Sequence, residues 1–259
     1  MMLLIAMVSM AVALSSMARN DPFLTRGRGG SSTTSLPMVS MEAIPELKAP
    51  PVMYAGVATT GGAKASLSPL KTLLLGIISG CHIGFGAFLS LAVGGACPAI
   101  ATANPGLKQI IAGAFGLPFG LMLTVIGGGE LFTGNTAMLT AAVMEKKASL
   151  KGLAKNWFFS YVGNFIGSLI LAGLAHSSGT LGAGPAAAAA AVMKTSLPFK
   201  TAFVRGILCN WLVCMAVYMA SGATSLASKM TAIFFPISAF IALGLEHSVA
   251  NSNNQFTHD

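Results

Sequence analysis

The amino-acid sequence predicts an all-α, polytopic membrane helix bundle, and three observations carry that prediction. Of 259 residues, 54% are hydrophobic and only 8% charged, with a mean hydropathy of +0.75. So little polar surface cannot coat a soluble globule. Beyond Lys71 the apolar residues gather into runs of roughly twenty, the length a helix needs to cross a hydrocarbon core. The basic residues of that region concentrate in one short loop between two of the runs, as the positive-inside rule requires of a loop facing cytosol or stroma.

The chain opens with an apolar run, Leu3 to Leu14, that is too short to span a bilayer and ends at Ser16-Met17-Ala18, a small-x-small pattern. Residues 1–18 read as a signal-peptide-like segment. Residues 19–69 read as transit-peptide-like and disordered: Arg19 to Ser68 mixes Ser, Thr, Gly, Pro and Arg, and Arg26 to Met41 lacks any acidic residue. A signal peptide followed by such a stretch resembles the two-part presequence of algae whose plastid came from a eukaryotic endosymbiont. The expected location is a plastid (chloroplast) envelope, with the plasma membrane or another endomembrane as the alternative.

The spans are expected at Leu73 to Gly95, Ile110 to Gly128, Trp157 to His176, Thr201 to Ala220 and Met230 to Leu245. Between the second and third lies Glu145-Lys146-Lys147, followed by Lys151 and Lys155; this loop faces the stroma or cytosol, with Lys64 and Lys71 on the same side. Glycines spaced four apart, Gly76/Gly80/Gly84, Gly116/Gly120 and Gly163/Gly167, allow helix backbones to approach closely. They predict a compact bundle and say nothing of a substrate.

The formal charge of +8 does not indicate nucleic acid, because no basic stretch is interleaved with aromatics on which bases could stack. Cys81, Cys97, Cys209 and Cys214 lie in or beside apolar runs without CxxC pairs, so no metal or redox site is expected and they read as small buried hydrophobes. No phosphate loop or nucleophile elbow is present. The chain is not expected to be an enzyme, and no cofactor is implied.

Two carboxylates stand among the apolar runs. Glu130 and Glu246 share the contexts Gly128-x-Glu130-x4-Asn135 and Gly244-x-Glu246-x4-Asn251, which indicates an internal repeat. Each carboxylate at the bilayer centre costs about 2.5–3.5 kcal/mol or more, so each needs a compensating partner. Gly, Thr and Asn after Glu130 are poor helix formers, and the stretch through Asn135 reads as a helix broken within the membrane; Glu246 to Asn251 reads the same way. Paired breaks in two repeats mark a transport path. Glu130 and Glu246 either brace their loops or touch the substrate. His247, in the second break, is the one group there able to change charge near neutral pH. Asn210, inside the fourth span, is either interhelical glue or a pore-lining donor. Lys194, Lys200 and Arg205 carry positive charge that draws an anion towards a pore mouth, although Lys200 can equally snorkel to the interface.

Gly127-Gly128-Gly129-Glu130-Leu131-Phe132-Thr133-Gly134-Asn135 and Arg205-Gly206-Ile207-Leu208-Cys209-Asn210-Trp211-Leu212-Val213-Cys214-Met215-Ala216 closely resemble two signature segments of the formate/nitrite transporter family, and Gly244 to Asn251 resembles a third. The resemblance covers about Leu70 to Asn251, which sets the transporter domain at 70–251. It implies an aquaporin-like inverted repeat with two broken helices and a homopentamer in which each subunit has its own pore. By matching position, Thr133 lies on the loop after the second span, His247 is the central pore histidine, Asn210 bonds near it, and Lys194 stands in the outer vestibule. The resemblance further implies apolar constrictions formed by Leu131, Phe132, Val213 and Phe240. The implied cargo is nitrite first and formate second, moving with a proton.

Family members continue past the Asn251 position with an apolar sixth span, whereas residues 252–259 here form a polar tail, so five of six spans are expected. A truncated gene model is the favoured reading. The alternatives are a non-conducting paralogue that regulates full-length subunits and an aquaporin-like pore for neutral solutes.

Overall fold

The computed structural model describes residues 47–180, 192 and 196–247. Residues 1–46, which hold most of the expected presequence, Lys194, Asn251 and residues 252–259 lie outside the described residues. Within them the chain is helical, and the one β-contact is an isolated bridge between Leu47 and Ala223.

The first helix, α1 (Pro50–Ser66), corrects the sequence reading, which assigned these residues to a leader unable to pack. Pro50 and Pro51 start it, since a helix's first turn needs no N–H from them. Pro69 follows its end. Met53, Tyr54, Val57, Ala58, Gly61 and Ala65 are buried on one face. Lys155 closes the far end by donating to the carbonyls of Ala65 and Leu67 at 2.8 and 2.6 Å. Alanine and glycine are prominent on that face, so hydropathy alone does not reveal it; burial arises only where other elements come to meet it.

Two long helices make the framework, α2 (Pro69–Gly95) and α7 (Leu150–Ser177), each long and apolar enough to cross a membrane. Ser68 and Ser149 cap their N-termini by accepting from Lys71 N and Gly152 N at 3.3 and 3.1 Å. They pack through the expected glycines. A Cβ on Gly80 would lie 2.2 Å from the Asn164 carbonyl oxygen, and one on Gly167 would lie 2.0 Å from that of Ile77. Only hydrogen fits at either position.

After the short α3 (Pro98–Ala103), the second span runs as α4 (Pro105–Ala114) and α5 (Leu117–Ile126), breaks, and resumes as α6 (Phe132–Met144). The interruption at Phe115-Gly116 was not anticipated from the sequence. Pro118 explains it, because its ring would clash with the Ala114 carbonyl and it offers no N–H. Helices α4 and α5 pack on α2, and α6 packs on α1 and α7.

The second half holds α8 (Phe199–Gly222) and α9 (Leu226–Ala242). Helix α8 is long enough to span, while α9 is a shorter apolar helix with Pro236 inside it. The C-terminal end of α8 meets α1: Lys48 N donates to Gly222 O at 3.0 Å, and Tyr218 Oη donates to Pro50 O at 3.1 Å. Tyr54 Oη in turn donates to Glu145 at 3.0 Å. The end of α8, helix α1 and the basic loop therefore share one side of the bundle, and α8 begins on the other.

The two halves end their incoming helices alike. Gly128 and Gly244 both take left-handed backbone, with φ of 75° and 67°. Gly129 N donates to Thr124 O at 2.8 Å, and Leu245 N donates to Phe240 O at 3.0 Å. Both are the wide six-to-one bond of a helix C-terminus turned by glycine. Each motif delivers its glutamate two residues after the left-handed glycine. The internal repeat seen in the sequence is thus a repeat in backbone geometry.

Candidate functional site: two helix breaks around an apolar cavity

The two breaks meet. His247, 4% exposed, puts Nε2 3.2 Å from Thr133 Oγ1, and Thr133 is fully buried at the start of α6. The His247 ring lies nearly parallel to Phe240, with centroids 5.7 Å apart and 12° between planes. Thr133 is held from behind, its carbonyl accepting from Thr136 Oγ1 at 2.6 Å and from Cys214 Sγ at 3.7 Å.

Beside this pair lies a cavity of about 10 Å³ lined by Ile83, Leu117, Leu121, Leu131, Val213, Ile237, Phe240 and His247. A single water needs roughly 10–15 Å³ on the same measure, so the space is at the limit of one small molecule. Its walls are aliphatic and aromatic apart from the imidazole. A bare ion there would lose its hydration with no charge to replace it.

Leu131, Val213 and Phe240 thus line the cavity with His247. Phe132 does not: its ring stands edge-on to Trp157 and Tyr161, with centroids at 6.1 and 5.3 Å. The reason is its backbone N–H, which donates to Asn164 Oδ1 at 2.8 Å and fixes the start of α6 against α7. Ile83, Leu117, Leu121 and Ile237 were not expected in the lining. They sit in runs where the neighbours are equally apolar, so no sequence signal distinguishes them.

Glu130 lies away from the cavity in a polar knot. It is 2% exposed and forms an ion pair with Lys64 of α1. Its other oxygen accepts from Asn135 Nδ2 at 2.6 Å and Asn156 Nδ2 at 3.0 Å. Asn164 completes the brace by donating to the carbonyls of Glu130 and Gly76, both at 2.9 Å, and Glu130 N donates to Leu75 O at 3.2 Å. The carboxylate anchors its loop to α1 and α7, and the Glu130 backbone N–H ties it to α2. Lys64, Asn156 and Asn164 were missed as partners. The amides carry a signal, being polar residues eight apart on an apolar span; Lys64 carries none, because it belongs to a segment read as leader.

Glu246 faces Arg205, 3.8 Å from its Nη1. Asn210 does not reach His247: its amide donates to Gly206 O at 2.7 Å within its own helix, and its oxygen has no partner among the described residues. The i−4 carbonyl lies closer to hand than the imidazole across the bundle. No cluster of metal-ligating side chains occurs among the described residues.

Spanning helices, a helix break that meets the loop after a second apolar helix, and a small apolar cavity beside a polar pair suit a membrane protein that passes a small solute. The chain belongs to the formate/nitrite transporter family, whose profile, described as formate/nitrite transporter, matches residues 51–257. A probable formate transporter of Methanothermobacter thermautotrophicus is 41% identical over 199 residues, covering 70% of this chain and 72% of that protein. Among solved structures, an FNT family ion channel superposes with a TM-score of 0.72 at 30% identity, covering 80% of this chain and 82% of that one. A pentameric formate channel with formate bound gives 0.62 at 32% identity, over 72% and 73%. The protein is therefore an integral membrane transporter of small anions and not an enzyme.

Proposed function

We propose that the chain carries nitrite, and next to it formate, across a plastid envelope membrane together with a proton, as a homopentamer with one pathway per subunit. The observation that carries the pathway is the hydrogen-bonded pair His247–Thr133 at the wall of an otherwise apolar cavity. As a weak-acid anion enters the constriction its hydration falls, which raises its proton affinity. His247 supplies a proton or a hydrogen bond, and the species in the slit is effectively neutral. Thr133 suits either state of the ring, since a hydroxyl both donates and accepts.

The pentamer reading is supported by the assembly of the structural relative and by the large apolar side chains left exposed along the spans, such as Phe85, Phe119, Phe165 and Trp211. Nitrite is placed first because the leader resembles a plastid presequence and nitrite is reduced in the stroma. Lys194 and Asn251 keep their proposed places in the outer vestibule and the second break.

The test is uptake of labelled nitrite and formate by the purified chain in liposomes, with and without a pH gradient. Accumulation of either anion driven by an alkaline lumen is expected. Passage of neutral solutes with exclusion of both anions would remove the proposal, and formate uptake well above nitrite would reverse the order.

A further inference from the structure

Two polar side chains stand at mid-depth on the outer face of the bundle with polar atoms left unmet. Tyr161 is the twelfth of the 28 residues of α7, and His82 is the fourteenth of the 27 of α2. At 1.5 Å per residue, each lies within about 4 Å of the middle of a helix long enough to span. Tyr161 is 46% exposed, and its hydroxyl has no partner among the described residues. His82 is half-buried, and its Nδ1 is buried without a partner among the described residues.

Lipid does not account for this placement. Membrane tyrosines settle where hydrocarbon meets the headgroups, about 15 Å from the middle, with the hydroxyl in the wet layer. A phenol is too short to reach that level from the middle of α7, and hydrocarbon offers its hydroxyl no acceptor. Helices α2 and α7 are locked side by side, a Cβ on Gly163 lying 2.9 Å from Gly76 Cα. Tyr161 and His82 therefore share the outward face of one helix pair, where Ile78 and Phe85 of α2 and Phe158 of α7 are also exposed. The face is joined to the first break. The Phe132 ring stands edge-on to Tyr161 and Trp157, with centroids at 5.3 and 6.1 Å, and Phe132 immediately precedes Thr133, the partner of His247.

We propose that the α2–α7 face is covered by the next copy of this chain, which gives the Tyr161 hydroxyl an acceptor and completes the clasp of Trp157 and Tyr161 on Phe132. A second copy is the occupant that fits, because the solved relative with formate bound is a pentamer. Rotation about an axis along the membrane normal also keeps every residue at its own depth, so a mid-depth hydroxyl meets mid-depth residues of its neighbour. Each break is then held in part by the adjoining subunit, and a chain taken out of the ring has a loosened Phe132 beside its Thr133–His247 pair. The inference rests on the homopentamer reading and adds the face that is covered and its link to the break.

The full chain carrying the photoreactive substitution Tyr161→p-benzoylphenylalanine is irradiated in liposomes and resolved by denaturing electrophoresis. Covalent dimers and higher rungs up to the pentamer are expected. Adducts with lipid alone, from protein that native mass spectrometry shows to be pentameric, overturn this inference and leave the pentamer standing; monomers alone in native mass spectrometry overturn both. Tyr161→Phe keeps the ring and removes only the hydroxyl, and it keeps the test open should the bulkier variant not fold. On dilution in detergent it is expected to fall apart into monomers at about tenfold higher protein concentration than the wild type. Its formate uptake after reconstitution should fall in step with the pentamer fraction. An unshifted dissociation, or full uptake by the monomers, overturns the inference.

Discussion

His247 Nε2 lies 3.2 Å from Thr133 Oγ1, a contact between residues 114 positions apart that joins the end of one broken helix to the beginning of another. It stands at a cavity whose other lining residues are apolar, and the first two predictions concern it.

Replacing His247 by Asn keeps a polar side chain but removes the ionisable ring proposed to hand on the proton. Formate uptake into liposomes should lose its dependence on external pH, measured as initial rates over a series of external pH values. An unaltered pH profile in this variant would count against the proton step.

Thr133→Val removes the hydroxyl at nearly constant volume and leaves a buried imidazole nitrogen without this hydroxyl, a cost of about 1–3 kcal/mol. Uptake should fall by about tenfold or more. Thr133→Ser, which keeps the hydroxyl, should retain most of the rate when both are assayed side by side.

The polar knot behind the first break should behave as a unit. Lys64→Met strands the buried Glu130 carboxylate, and Glu130→Gln strands the Lys64 ammonium, which is only 17% exposed. Each single change should destabilise by about 3–5 kcal/mol, and the double change by clearly less than the sum. Thermal unfolding of the detergent-solubilised protein for the full mutant cycle measures this.

Asn164→Leu should be at least as damaging, because one amide serves Phe132 N, Glu130 O and Gly76 O. Phe132 N and Glu130 O would lose this partner at about 1–3 kcal/mol each, and Gly76 O would keep only its bond within α2. Failure to recover stable protein in detergent is expected, whereas Asn210→Leu, whose amide bonds within its own helix, should be tolerated with a normal melting temperature.

Leu121→Ala enlarges the cavity from its wall. The side chain is 2% exposed, so a destabilisation of about 2–5 kcal/mol is expected. The widened slit should also admit ions the native one rejects, seen as a chloride leak in liposomes that show none with the wild-type protein.

Much of this was legible in the residues alone. Hydropathy and length identify four of the five expected spans, because lipid demands about twenty apolar residues and a satisfied backbone; the fifth is a shorter apolar helix, Leu226–Ala242. The repeated Gly-x-Glu contexts announce two helix breaks, and the glycine spacing announces the close packing of α2 on α7. These are local requirements: a left-handed turn needs glycine, and a backbone oxygen 2.0 Å from a would-be Cβ, as at Gly167, admits no side chain.

What only the tertiary structure decided is who meets whom. Helix α1 packs although its composition resembles a leader, since its face of Met53, Tyr54, Val57, Ala58, Gly61 and Ala65 gains by burial only once α6 and α8 stand beside it. Phe132 turns to Trp157 and Tyr161 instead of the cavity, because Asn164 claims its backbone. Lys64 becomes the partner of Glu130 across 66 residues of chain. Such pairings depend on distances in space that no spacing along the sequence encodes, whereas the spans, breaks and close glycine contacts follow from what each short segment must satisfy in lipid.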